Sequence, residues 1–173
     1  MQPVVHLAVG YICYAGYTRL AHRETPGSKS TIVVLFAALL PDLIDKSLWI
    51  AGLVPVGRTI GHSLLFAVPL VFLVWYVLHK RDREKLAIAF AIGYGSHIAT
   101  DIPWHVLAGE YEELGFLLWP ITHMPAYTGT KTIGTVAGAE ITTLWVEAVI
   151  LAFGIALWLS DGRPGLILPD RNS

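Results

Sequence analysis

An all-α fold, a polytopic transmembrane helical bundle of about five spans, is what this sequence predicts, and three observations predict it. Of 173 residues, 54% are hydrophobic and only 14% are charged, too little polar surface for a soluble domain of this length. Apolar runs recur at lengths near the ~20 residues that cross a bilayer as a helix. The basic residues also segregate onto alternate connections, as the positive-inside rule expects of a membrane bundle. Backbone in lipid must bond to itself, so helices rather than open strands are the reading.

The first span covers residues 4–20. It lacks a basic leader and ends in Arg19, His22 and Arg23 rather than a small-residue cleavage site, so it reads as a retained helix and not a signal peptide. The second, 31–54, is interrupted by Pro41, Asp42, Asp45 and Lys46, and a kinked or broken helix is expected there. The third and fourth spans cover 62–78 and 86–103. A connection over 104–138 follows, long for a bundle and holding Trp104, His105, Tyr111, Phe116, Trp119, Pro120, His123 and Tyr127. Its aromatic residues favour an amphipathic cap or a partly re-entrant segment on the outer face, either closing over the site as a lid or only anchoring the loop at the interface. The fifth span covers 139–159, and residues 160–173 read as a short tail. The whole chain, 1–173, reads as a single domain.

Nine of the twelve lysines and arginines fall on the first and third connections and the tail. That side should be cytoplasmic, with the amino terminus outside and the carboxyl terminus inside. The net charge of -1 offers no basic field for nucleic acid. One cysteine, Cys13, lies in an apolar run and can form no internal disulfide.

Five ionisable residues, Asp42, Asp45, His62, His97 and Asp101, lie inside or at the edge of these spans. A charge in hydrocarbon costs a few kcal/mol at least, so such groups face a protein interior or wet cavity and act there. At ~1.5 Å per residue, Asp42 and Asp45 sit ~17–21 Å along span two, and His97 and Asp101 ~17–23 Å along span four. His6 and His62 open spans one and three on the same face. Four spans therefore bring imidazoles and carboxylates to one level of the outer half of the membrane.

His97 and Asp101 are spaced i,i+4 and project from one helical face, while Gly93 and Gly95 would admit a neighbouring helix closely. Asp42 and Asp45 also share a face, and paired carboxylates repel unless a proton or cation lies between them. Lys46, four residues after Asp42, would neutralise one of them. Arg58 suits an anionic group such as a phosphate, with lipid anchoring as its alternative. Ser63 reads as a helix cap. Glu140 and Glu147 share a face of span five, and Glu147, in apolar surroundings, reads as a general base, a partner to a histidine or a protonated buried acid. His22, His79 and His123 read as interfacial or loop residues.

These clusters together resemble a known family, the YdjM-like predicted membrane-bound metal-dependent hydrolases. The carriers are His6, the segment Leu40-Pro41-Asp42-Leu43-Ile44-Asp45, Arg58 with Gly61-His62-Ser63, Gly93-Tyr94-Gly95-Ser96-His97 with Asp101, and Leu117-Leu118-Trp119-Pro120. Where the family often has His-Arg-Gly-x-Thr-His-Ser, this chain keeps the arginine and the terminal pair.

The expectation is thus an inner-membrane hydrolase whose site holds a divalent metal through His6, Asp42, Asp45, His62, His97 and Asp101. Asp45 would be ligand or base, Arg58 would hold the headgroup, and Glu147 would assist. Mixed imidazole and carboxylate donors suit zinc, and manganese or iron accept them too. The substrate would be a lipid or lipid-linked ester, in particular a phosphoester, at the outer leaflet. Two alternatives use the same residues: a metal or proton transporter, and a non-catalytic scaffold whose polar groups lock helices together.

Overall fold

In a computed structural model the protein is described over residues 2–109, 111–122 and 141–166. Among these residues it is all-helical: α1 (Pro3–His22), α2 (Ser28–Ile50), α3 (Leu64–His79), α4 (Glu84–Ala108), a 3-10 segment (Tyr111–Leu118) and α5 (Ile141–Ser160). The five helices lie where the five apolar runs predicted them. His123, Tyr127 and Glu140 fall outside the described residues, as does about half of the long connection.

The central pair is α2 and α4, with α1 packed on both, α3 against α4, the 3-10 segment against α3 and α4, and α5, among the described residues, against α1. Small residues set these approaches. A side chain at Gly93 would run into the Val34 carbonyl and meet Ala37 Cβ at 3.0 Å, so glycine lets α4 rest on α2. Gly10 does the same for α1 against Ala38, and Gly154 for α5 against Ala8. Gly95 meets no such neighbour. It faces an apolar groove between α3 and α4 instead.

Helix boundaries differ from the hydropathy reading for local reasons. α2 runs unbroken through Pro41 and stops at Ile50, earlier than predicted, because Gly52 takes φ 74° and its amide turns back to the Trp49 carbonyl at 3.0 Å. α3 begins at Leu64, not at His62, because the Ser63 hydroxyl caps it by accepting from the Leu65 amide at 3.2 Å. His62 is therefore a loop residue. α4 continues past 103 to Ala108, where Gly109 at φ 74° ends it.

Among the described residues no helix is long and apolar enough to cross a membrane. Two causes are visible. α3 has 16 residues, ~24 Å at helical rise, against the ~30 Å of a hydrocarbon core. α2 and α4 carry Asp42, Asp45, Lys46, His97 and Asp101, which dilute their hydropathy. The exterior is nonetheless apolar: Val68, Phe72 and Leu73 on α3 and Trp145, Val149 and Phe153 on α5 are all more than half exposed.

At one end of the bundle Lys85 donates to Glu24 at 3.0 Å, so the first and third connections adjoin, as the charge pattern predicted. The Lys85 ammonium holds the exposed Glu24 carboxyl below the usual carboxylate range. The residues just after α5 are not a loose tail. Asp161 is buried and accepts from the Tyr11 hydroxyl at 2.6 Å and from Arg19, clasping α5 to α1. Gly165 then rests against Thr31 and Ile32 of α2.

Candidate metal centre

Near the other end of the bundle, α1, α2, α4 and the loop before α3 bring His6, Asp42, Asp45, His62, His97 and Asp101 together, all buried. Arg58 joins them from the same loop. The agreement in depth read from the spans is thus a meeting of side chains.

Asp45 organises the loop. Its two carboxylate oxygens accept from the Thr59 amide at 2.6 Å, the Thr59 hydroxyl at 3.0 Å, the Gly61 amide at 2.9 Å and the His62 amide at 3.1 Å. They also accept from His62 Nδ1 at 2.7 Å. Gly61 is required at this turn, since a Cβ there would lie 2.6 Å from the Pro41 carbonyl oxygen. The Gly61 carbonyl in turn accepts from Tyr94 at 2.6 Å, fixing the loop to α4. Asp45, expected as ligand or base, spends its oxygens on the loop and aims His62, the carboxylate–imidazole arrangement that fixes a ligand's tautomer.

The tautomers of all three histidines follow from their partners. His97 Nδ1 lies 2.7 Å from the Ala38 carbonyl, which only accepts, so that nitrogen carries the proton. His62 Nδ1 donates to the Asp45 carboxylate. His6 Nδ1 lies 3.0 Å from Thr100 Oγ1, whose own hydrogen goes to the Ser96 or His97 carbonyl at 2.9 and 3.0 Å, so His6 Nδ1 is again the donor. Each neutral ring then presents an Nε2 lone pair inward.

Those lone pairs face one another and two carboxylates. His62 Nε2 lies 3.0 Å from His97 Nε2, 3.5 Å from Asp101 Oδ2 and 3.7 Å from Asp42 Oδ1. His97 Nε2 is 3.9 Å from Asp42 Oδ1, and His6 Nε2 is 3.4 Å from Asp101 Oδ1. The His6 and His97 rings stack with centroids 3.8 Å apart. Two imidazole lone pairs at 3.0 Å repel unless a proton or a cation lies between them. Two sets can converge on a cation, His6 with Asp42 and His97, and His62 with His97 and Asp101, each with ligand atoms within 4.8 Å of one another. Bonds of ~2.0–2.2 Å in a tetrahedron separate ligand atoms by roughly 3.3–3.6 Å, so the donors fit a metal.

The sequence matches the model of the YdjM inner membrane protein family over residues 1–163. The chain belongs to the YdjM family. No curated protein and no solved structure matches it. Membership places this YdjM-family protein at a membrane, in keeping with its apolar exterior.

Around the centre, Arg58 Nε donates to Asp101 Oδ2 at 3.0 Å and Lys46 Nζ to Asp42 Oδ2 at 2.6 Å. The 3-10 segment caps the far side: Phe116, fully buried, meets the His62 ring edge-on at 6.0 Å, and Ser63 donates to the Trp119 carbonyl at 2.7 Å. Glu147, expected to assist, accepts from the Gln2 amide at 3.3 Å at the start of α1 and belongs to neither convergent set. Asp161, which the sequence reading left in the tail, is the buried acid that was missed. Its only signal was Tyr11, a hydroxyl within an apolar helix.

Proposed function

We propose that this YdjM-family protein is a membrane-embedded, metal-dependent hydrolase of a lipid or lipid-linked phosphoester at the outer leaflet. The observation that carries the reading is the set of three inward Nε2 lone pairs facing Asp42 and Asp101. His62, His97 and Asp101, with His6 and Asp42 beside them, would hold one divalent ion, because both convergent sets draw on the single Nε2 of His97. Zinc suits these donors, and manganese or iron would also be accepted. When bound, such an ion supplies Lewis acidity to polarise an ester and acidify water.

The chain's own residues do the rest. Asp45 and Ala38 hold the His62 and His97 rings in the tautomer that offers Nε2. Phe116 and the 3-10 segment exclude water from the His62 side. Arg58, 24% exposed beside Asp101, lies where an anionic headgroup would enter. An acyl chain has a place to lie: an apolar groove of about 620 Å³ runs between α3 and α4, lined by Val68, Phe72, Ala91, Gly95 and Ile98 among others. Partly apolar surroundings on α3 and α5 favour the membrane-embedded reading, with the centre at the end remote from the basic connections, hence outside.

The test is purification in detergent, metal analysis and a screen of phospholipid and lipid-linked phosphoester hydrolysis. Bound metal and hydrolysis that both vanish in His97→Ala are expected. Hydrolysis indifferent to His97→Ala and Asp101→Ala would remove the enzymatic reading.

A transporter is the second reading, and one observation favours it: α1 carries a further buried polar cluster, Tyr11–Arg19–Asp161, toward the other end. His6 and Tyr11 are five residues apart, however, and so point ~140° apart around the helix. Metal or proton flux into liposomes that depends on both Asp42 and Asp161 would make transport the better reading.

A further inference from the structure

Lys46 holds a position that the hydrolase reading does not use. It lies one turn beyond Asp42 on α2, and Asp42 is divided between two neighbourhoods: Oδ2 takes the Lys46 ammonium at 2.6 Å, while Oδ1 faces His62 and His97 Nε2 at 3.7 and 3.9 Å. Exposure separates the groups further. The side chains of His6, His62, His97 and Asp101 are at most 2% exposed, whereas Lys46 is 31% and Arg58 24% exposed. The two cations are thus the more exposed members of the cluster, each paired with one carboxylate of the centre.

Charge points the same way. With the three rings neutral, the carboxylates of Asp42, Asp45 and Asp101 stand against Lys46 and Arg58, leaving one negative charge. A divalent ion reverses this to one positive charge in a buried site, where an unbalanced charge is costly. An anion entering past Lys46 and Arg58 would balance it. Ammonium on a flexible four-carbon stem, with three donors, can turn from a carboxylate to such an anion without moving the backbone.

We propose that Lys46 is an anion-holding residue that neutralises Asp42 until a metal takes that carboxylate, and then binds a phosphoryl oxyanion beside Arg58. The inference rests on the metal-centre reading and names the anion class that this centre accepts. Lys46 is an anion-binding residue, not a metal ligand.

Binding measurements test it without turnover. Zinc affinity, by chelator competition, and inorganic phosphate affinity of the zinc-loaded protein in detergent are compared for wild type, Lys46→Met and Lys46→Arg. Lys46→Met should bind phosphate at least roughly tenfold more weakly, while zinc affinity holds or rises because Asp42 has lost its competitor. Lys46→Arg should restore most of the phosphate binding. A lysine that only braces α2 would instead lower both affinities together, and that result, or phosphate binding unchanged in Lys46→Met, overturns the inference. Wild type gives a check that needs no variant: phosphate should bind the loaded protein far more tightly than the metal-free one, and equal binding overturns the inference too. Repeating the series with phosphatidic acid in mixed micelles separates a lipid headgroup from free phosphate as the source, and loss with either probe supports the assignment. Wild type that binds no metal would instead sink the metal-centre reading itself.

Discussion

Two buried polar clusters share α1, and they are built on opposite principles. In the Tyr11–Arg19–Asp161 clasp every acceptor meets a donor: one carboxylate, one hydroxyl and one guanidinium, with nothing left to bind. At the centre around His97 acceptors face acceptors, with imidazole nitrogens 3.0 Å apart and carboxylate oxygens within 4 Å of them. The first arrangement stabilises the fold. The second is unfavourable until a proton or a cation enters between the facing groups. Burial of polar residues in an apolar helix is therefore not by itself a sign of function; the balance of donors and acceptors is.

Substitutions should separate the clusters. His97→Ala removes the ring common to both convergent sets, and zinc affinity should fall by roughly a hundredfold or more. Unchanged affinity would take His97 out of the centre. Asp45→Asn keeps the shape but withdraws the carboxylate that aims His62; a loss of about 10–100-fold in zinc affinity is expected, as for other partners of a metal-bound histidine. Unchanged affinity would mean that the loop positions His62 without it.

Asp161→Ala works in the opposite sense. It should lower unfolding free energy by about 2 kcal/mol, below the usual cost of breaking a buried pair because Arg19 is 37% exposed, and leave zinc content intact. Lost metal in that variant would link the clusters and favour transport. Ser63→Ala is the mildest case. Removing the cap of α3 and its bond to Trp119 should cost about 1 kcal/mol, read as a lower melting temperature with metal affinity little changed.

Much of the centre was legible before any coordinates. His6, Asp42, His62, His97 and Asp101 declared themselves because ionisable groups in apolar helices are rare and because their depths, counted at helical rise, agreed. The Asp42–Lys46 pair and the Ser63 cap followed from local spacing. What stayed hidden depends on distant contacts. Asp42 and Asp45 have the same helical spacing to their surroundings, and only the return of the 59–62 loop decides that Asp45 binds amides while Asp42 faces imidazoles. Glu147 stood out by its apolar neighbours, yet only the fold pairs it with the Gln2 amide at the start of α1. Asp161 follows the last helix, and nothing in its neighbours announces that Tyr11 and Arg19 close over it. The helix ends at Ile50 and Ala108 depended on single glycines, Gly52 and Gly109, that hydropathy does not register.

The most direct measurement is the metal content of the purified protein, wild type beside His97→Ala, by elemental analysis after exchange against a weak chelator. About one equivalent of a divalent transition metal, zinc foremost, should stay with wild type and be absent from the variant. Wild type that retains none after incubation with zinc, or His97→Ala that retains as much, would contradict a metal centre built on three inward imidazoles.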